Sequence, residues 1–114
     1  MPDPGDVVTV DFVGATRTKR CPAVVVSSTL YHQHRPDLVS GVLTSQVSRA
    51  TTPVDYLLAD WASAGLRQPS VFRAYFGMAT PAVVRVIGHL SARDWEGIQA
   101  CLRRALALQD PAML

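Results

Sequence analysis

The sequence predicts a mainly β domain of α+β type: five to seven short strands in a small twisted sheet or barrel, a short internal helix, and a C-terminal amphipathic helix over part of one face. Three observations predict it. Short β-branched runs recur between breaks that contain Gly or Pro. Apolar residues take a clear helical spacing only after Ser91. The 114 residues, 48% of them apolar, suffice for one core and leave no space for a doubly wound cofactor fold, so residues 1–114 are read as a single domain.

Taken in order, residues 6–13 alternate loosely as a first strand, and Ala23-Val24-Val25-Val26 is β-branched enough to be buried on both faces of a second. Between them the polar, Gly-started and Pro-terminated stretch 14–21 reads as a basic loop. Leu38 to Val47 supplies a third strand, with Gly41 at a bulge or a close approach. Pro53 to Leu58 reads as a short strand, and Ala59 to Ala64 as a helical turn that Gly65 stops in the left-handed conformation. Ser70 to Phe76 and Val83 to Leu90 read as two more strands. Ser91-Ala92-Arg93-Asp94 has the form of a capping box with Asp for Glu, opening a helix with Trp95, Ile98, Leu102, Ala105 and Leu106 on its apolar face and Pro111 as its stop.

Eleven basic residues against nine acidic ones give only +2, too mild a balance to announce a nucleic-acid binder. The placement is uneven. Residues 14–50 carry Arg17, Lys19, Arg20, Arg35 and Arg49 against Asp37 alone, a local +4, while the remainder is at −2. That segment fits either a phosphate-facing surface or a solvated Arg-rich loop. The acidic, Pro-broken start is not a targeting peptide, and no apolar stretch approaches the ~20 residues that span a bilayer, so a soluble, cytoplasmic protein without membrane attachment is expected. Cys21 and Cys101 match no metal or redox spacing and are expected as free thiols.

Five segments occur in order: Gly5-Asp6-Val7-Val8; Arg20-Cys21-Pro22-Ala23-Val24-Val25-Val26-Ser27 after a basic loop; Leu43-Thr44-Ser45-Gln46; Gly65-Leu66 with Pro69-Ser70-Val71; and Ile87-Gly88-His89-Leu90-Ser91 before the last helix. Together they resemble the MazF/PemK toxins over about residues 4–108. The resemblance implies an SH3-like barrel and a homodimeric, metal-independent, cofactor-free endoribonuclease. Its implied partners are single-stranded RNA, usually mRNA, and a cognate antitoxin. It also implies a site built from an Arg just before the Pro and from the Thr of the Thr-Ser-Gln segment, which map to Arg20 within one residue and to Thr44. Aligned on Pro22, the usual Arg position holds Cys21. Because strand side chains alternate, a one-residue offset aims Arg20 differently unless the loop end is irregular.

The chemistry stands without the family. RNA is cut without metal when its own 2′-OH attacks the adjacent phosphorus, provided the site aligns the attack, neutralises the phosphorane and helps protons move. Arg matches two phosphate oxygens with its planar fork, and Thr44 and Ser45 donate hydroxyl hydrogen bonds. An Arg with a pKa above ~12 is a poor base, so its role is electrostatic or another group takes the proton. Arg73 matches a strand Arg of some relatives that work with an Asp two residues on, a position held here by Tyr75. The catalytic candidates are therefore Arg20, Thr44 and Arg73. The RNA-binding candidates are Arg17, Lys19, Ser45, Gln46, Arg49, Ser70 and Tyr75, with Tyr75 offering a stacking face. Histidine is the side-chain type suited to proton transfer near neutral pH, but His32 and His34 read first as loop histidines, and His89 as structural or surface. Phe72, Phe76, Trp61 and Trp95 read as packing.

Three other readings stay open. Cys21 in the Arg position would leave a weakened module that still binds RNA or an antitoxin. A Cys21 nucleophile is chemically unnecessary for this reaction. The gyrase-binding CcdB toxins share the barrel, but their terminal helix acts through a late Trp, and here no Trp follows Trp95.

Overall fold

The computed structural model describes residues 1–13, 18–49 and 52–108. Six strands, β1 (Asp6–Val13), β2 (Thr18–Val25), β3 (Leu38–Thr44), β4 (Asp55–Leu57), β5 (Val71–Ala79) and β6 (Arg85–His89), form one sheet in the order β4-β5-β3-β2-β1-β6. Every pairing is antiparallel. Two helices accompany it, α1 (Thr29–His34) and α2 (Ala92–Ala105).

The expected barrel is an open sheet: β4 and β6 are its two edges in the ladder order. The chain after β4 returns to cover β6. Gly65, at φ +89°, and Gly88 meet there so closely that a Cβ on Gly88 would overlap the Ala64 carbonyl oxygen. The left-handed Gly65 expected from sequence is thus present, and its neighbour's bulk is what requires glycine at 88.

The Ala23–Val26 run behaves as its composition predicts. Val24 joins Val7, Leu43 and Phe72 in a core closed by Ile98, Cys101 and Leu102 of α2. Ala23 and Val25 join Val8, Val10 and Leu38 on the opposite face. A strand buried on both faces has no room for polar alternation. Phe72 is fully buried, and Phe76, Trp61 and Trp95 pack partly buried against the first cluster, as expected. Both cysteines are free thiols.

Four expectations need correction. The internal helix lies at Thr29–His34, where Ser28 accepts the Tyr31 amide at 3.1 Å as an N-cap, and not at 59–64. Residues 61–66 instead form tight turns, with the Ala64 and Leu66 amides both donating to the Trp61 carbonyl. β2 begins at Thr18, so Lys19, Arg20 and Cys21 are strand residues paired to β1 and not loop. β3 stops at Thr44 because its side chain accepts the Gln46 amide at 3.2 Å and turns the chain into a 3-10 turn, Val47–Arg49. Finally α2 ends at Ala105, before Pro111, since Ala107 adopts φ 55° and Leu106 is exposed.

The N-terminus of α2 is clasped to the chain after β4. Ser91 caps the Asp94 amide as the capping box predicts, but the Asp94 carboxylate does not turn back on its own helix. Fully buried, it accepts the Tyr56 hydroxyl at 2.7 Å and the Ala59 and Asp60 amides at 2.9 and 2.8 Å. Asp60 in turn accepts two 2.6 Å bonds from Arg93 and one from the Ser91 hydroxyl. Those bonds hold Asp60 at about 2, below the usual carboxylate value. Burial, then the bond to Asp94, pushes the Tyr56 phenol up to about 12. The clasp fixes the start of the chain that becomes one wall of the site.

Candidate functional site

The end of β3 comes together with the β1–β2 hairpin and the 65–70 loop around an open cleft of about 490 Å³. From β2 come Lys19, Arg20, Cys21 and Pro22, from the end of β3 Thr44 and Ser45, and from the loop Leu66, Arg67, Gln68 and Ser70. The charged residues among the described lining are Lys19, Arg20 and Arg67, all basic and all exposed. An open, cationic cleft with several hydroxyls suits a phosphate ester.

Each polar side chain is positioned by its element. Arg20 pairs with Asp11 across the β1–β2 ladder, so the two share a sheet face. Its guanidinium donates to the Asp11 carboxylate and the Thr9 carbonyl, each at 3.3 Å, and to the Val83 carbonyl at 3.5 Å. With the Arg20 and Asp11 side chains 45% and 53% exposed, that pair is a weak restraint, on the order of 0–1 kcal/mol. Cys21 pairs with Val10 and occupies the opposite face. The β2–β3 register, Ala23 with Val42, carried two residues further sets Cys21 opposite Thr44. The alternation that the sequence warned of is therefore real: Arg20 reaches the cleft from the Asp11 side, and the half-buried Cys21 thiol stands nearer the Thr44 side.

Thr44 uses its oxygen to accept the Gln46 amide, which leaves its hydroxyl hydrogen as a donor. Ser70, buried at the start of β5, donates to the Gln68 carbonyl at 3.0 Å and so stiffens the loop that carries Arg67.

The family model for the PemK-like, MazF-like toxins of type II toxin–antitoxin systems matches residues 3–106. The chain belongs to this toxin family. Solved structures agree on the fold. A mycobacterial endoribonuclease in complex with its cognate antitoxin superposes with a TM-score of 0.76 at 21% identity, over 97% of this chain and 100% of that one. The Mycobacterium tuberculosis toxin MazF-mt6 gives 0.73 at 18% identity, over 92% and 99%. A MazE–MazF structure from Deinococcus radiodurans gives 0.72 at 18% identity, over 95% and 98%. No curated protein matches by sequence.

Set against the MazF/PemK motifs, the cleft gathers Arg20, Thr44, Lys19, Ser45 and Ser70 from the residues picked out by sequence. Others stand apart from its lining. Arg73 on β5 faces Asp55 on β4, its Nε 3.7 Å from that carboxylate. Tyr75 is exposed on β5, and Gln46, whose amide donates to Thr44, is not part of the lining. Arg17 and the Arg49 side chain lie outside the described residues. The histidines are elsewhere: His32 Nε2 is 2.6 Å from the Ser27 hydroxyl, His89 Nδ1 is 2.7 Å from Asp6, and His34 is exposed at the end of α1. Sequence reasoning missed Arg67. Its one signal was its position between Gly65 and Pro69, in a loop that the toxin motif itself spans.

Proposed function

We propose that this toxin is an endoribonuclease that cuts single-stranded RNA, mRNA included, by attack of the substrate's 2′-OH on the adjacent phosphorus. The P–O2′ bond forms and the P–O5′ bond breaks, leaving a 2′,3′-cyclic phosphate and a 5′-OH. The nucleophile belongs to the substrate, so the reaction needs no metal or cofactor. The observation that carries this reading is the cleft itself, whose described charged residues are all cations and whose β3 end presents the Thr44 and Ser45 hydroxyls.

In this reading Arg20 and Lys19 lower the electrostatic energy of the anionic phosphate, while Thr44 and Ser45 donate to its non-bridging oxygens as charge builds on the phosphorane. Cationic side chains at neutral pH are poor bases, so most of the acceleration is alignment and charge stabilisation. Arg73 and Tyr75, on β5 outside the cleft, take no part in bond cleavage and are left for contacts along the strand. A cognate antitoxin and a second copy of the chain are its proposed partners and the cytoplasm its site of action. The antitoxin complexes of structurally similar toxins support the first of these.

Thr44→Ala tests the assignment. Cleavage of a long unstructured RNA should fall by about 10²-fold, the scale for one lost donor to a developing oxyanion, while the melting temperature falls by only a few degrees, the cost of the one exposed bond to the Gln46 amide. Unchanged cleavage with a lowered melting temperature would make Thr44 a turn residue only.

A further inference from the structure

Two arginines line the cleft, and they differ in what they are already doing. Arg20 is held by three acceptors on β1 and on the segment before β6. Arg67, among the described residues, makes no hydrogen bond or ion pair, and it is exposed. Its loop is nevertheless anchored at both ends. Gly65 is wedged against Ile87 of β6, and the Ser70 carbonyl accepts the Leu58 amide at 3.0 Å. A guanidinium on an anchored loop, with its donors uncommitted, binds a phosphate without first giving up partners. We infer that Arg67 makes the main guanidinium contact to an RNA backbone phosphate in the cleft, with Arg20 in a supporting, longer-range role.

This inference deepens the proposed endoribonuclease and rests on that reading. It explains how the cleft accommodates Cys21 beside Thr44: the phosphate-facing fork comes from the 65–70 loop and not from the strand. Lys19 adds charge but, as a single rotatable ammonium, cannot supply a two-oxygen match.

The test is equilibrium binding of a fluorescent single-stranded 2′-O-methyl RNA, which cannot be cut, across a series of NaCl concentrations. Arg67→Ala should weaken binding about tenfold at low salt and reduce the slope of log K against log salt by about 0.7, the value for one lost single-strand phosphate contact. Arg67→Lys should keep the slope and recover only part of the affinity. Arg67→Gln should match Arg67→Ala, and Arg35→Ala, on the exposed end of α1, should match the parent. Melting curves should coincide for all four variants. A parent-like slope and affinity in Arg67→Ala overturns the inference, even where the parent cuts RNA. A slope lost by Arg20→Ala in place of Arg67→Ala overturns it too. If the parent binds this RNA but leaves the unmethylated RNA of the same sequence uncut, the endoribonuclease reading fails while the binding slopes still decide Arg67. If it binds none, both fall.

Discussion

The clasp at the start of α2 and the cleft at the end of β3 are built from the same kinds of residue, and they use them in opposite ways. In the clasp every charge has a geometric partner: Asp94 takes three donors, and Asp60 takes the Arg93 fork and the Ser91 hydroxyl. In the cleft, of the three cations Lys19, Arg20 and Arg67, only Arg20 among the described residues pairs with a carboxylate, Asp11, at 3.3 Å. Matched charge fixes structure, and the cleft leaves its cations largely unmatched among the described residues. This chain thus separates a rigid joint from an open cationic cleft along the segment that links them, residues 58–70.

The comparison breaks most visibly at Asp94. Asp94→Ala orphans the Ala59 and Asp60 amides and the Tyr56 hydroxyl in a buried setting, so chemical denaturation should show a loss of about 3 kcal/mol or more. A loss under about 1 kcal/mol would mean that water replaces the carboxylate easily and that the clasp is not a joint. Tyr56→Phe should cost about 1 kcal/mol at neutral pH through one lost hydrogen bond. It should also change the alkaline limb. Tyr56 sits at about 12 in the fold against 10.0 unfolded, so the native state holds its proton more tightly. Its contribution is complete below pH 10 and fades as pH rises from 10 towards 12. Tyr56→Phe should flatten the parent's stability loss in that window, and identical slopes would remove Tyr56 from the account. The smallest effect belongs to the cleft. Asp11→Asn releases Arg20 from a surface ion pair, so RNA affinity should rise no more than about fivefold with little change in stability. A drop in affinity would show that Asp11 orients Arg20 productively.

Local pattern made part of this legible. The two-faced burial of Ala23–Val26 and the Ser91 cap followed from neighbours in sequence, whereas Thr44 and Ser45, which line the cleft, were singled out through the toxin resemblance. What escaped depended on residues far along the chain. Lys19 to Cys21 read as loop because their strand identity comes from pairing with β1, as in Asp11 with Arg20. Asp94 read as a local cap because its partners lie 34 to 38 positions away. Arg67 drew no reading from sequence, because its place in the cleft depends on the 65–70 loop lying beside the end of β3. Arg73 sits opposite Asp55 of β4 and outside the cleft lining, a placement set by the β4–β5 pairing that sequence does not show.

Cleavage of RNA by the substrate's own 2′-OH in the cationic cleft of this MazF/PemK toxin leaves a chemical signature on the products. The direct measurement is the chemistry of the ends after the purified protein is incubated with a long unstructured RNA in EDTA. The account predicts discrete fragments with 2′,3′-cyclic phosphate and 5′-OH termini. Fragments with 5′-phosphates, cleavage only on adding a divalent metal, or intact RNA would contradict it.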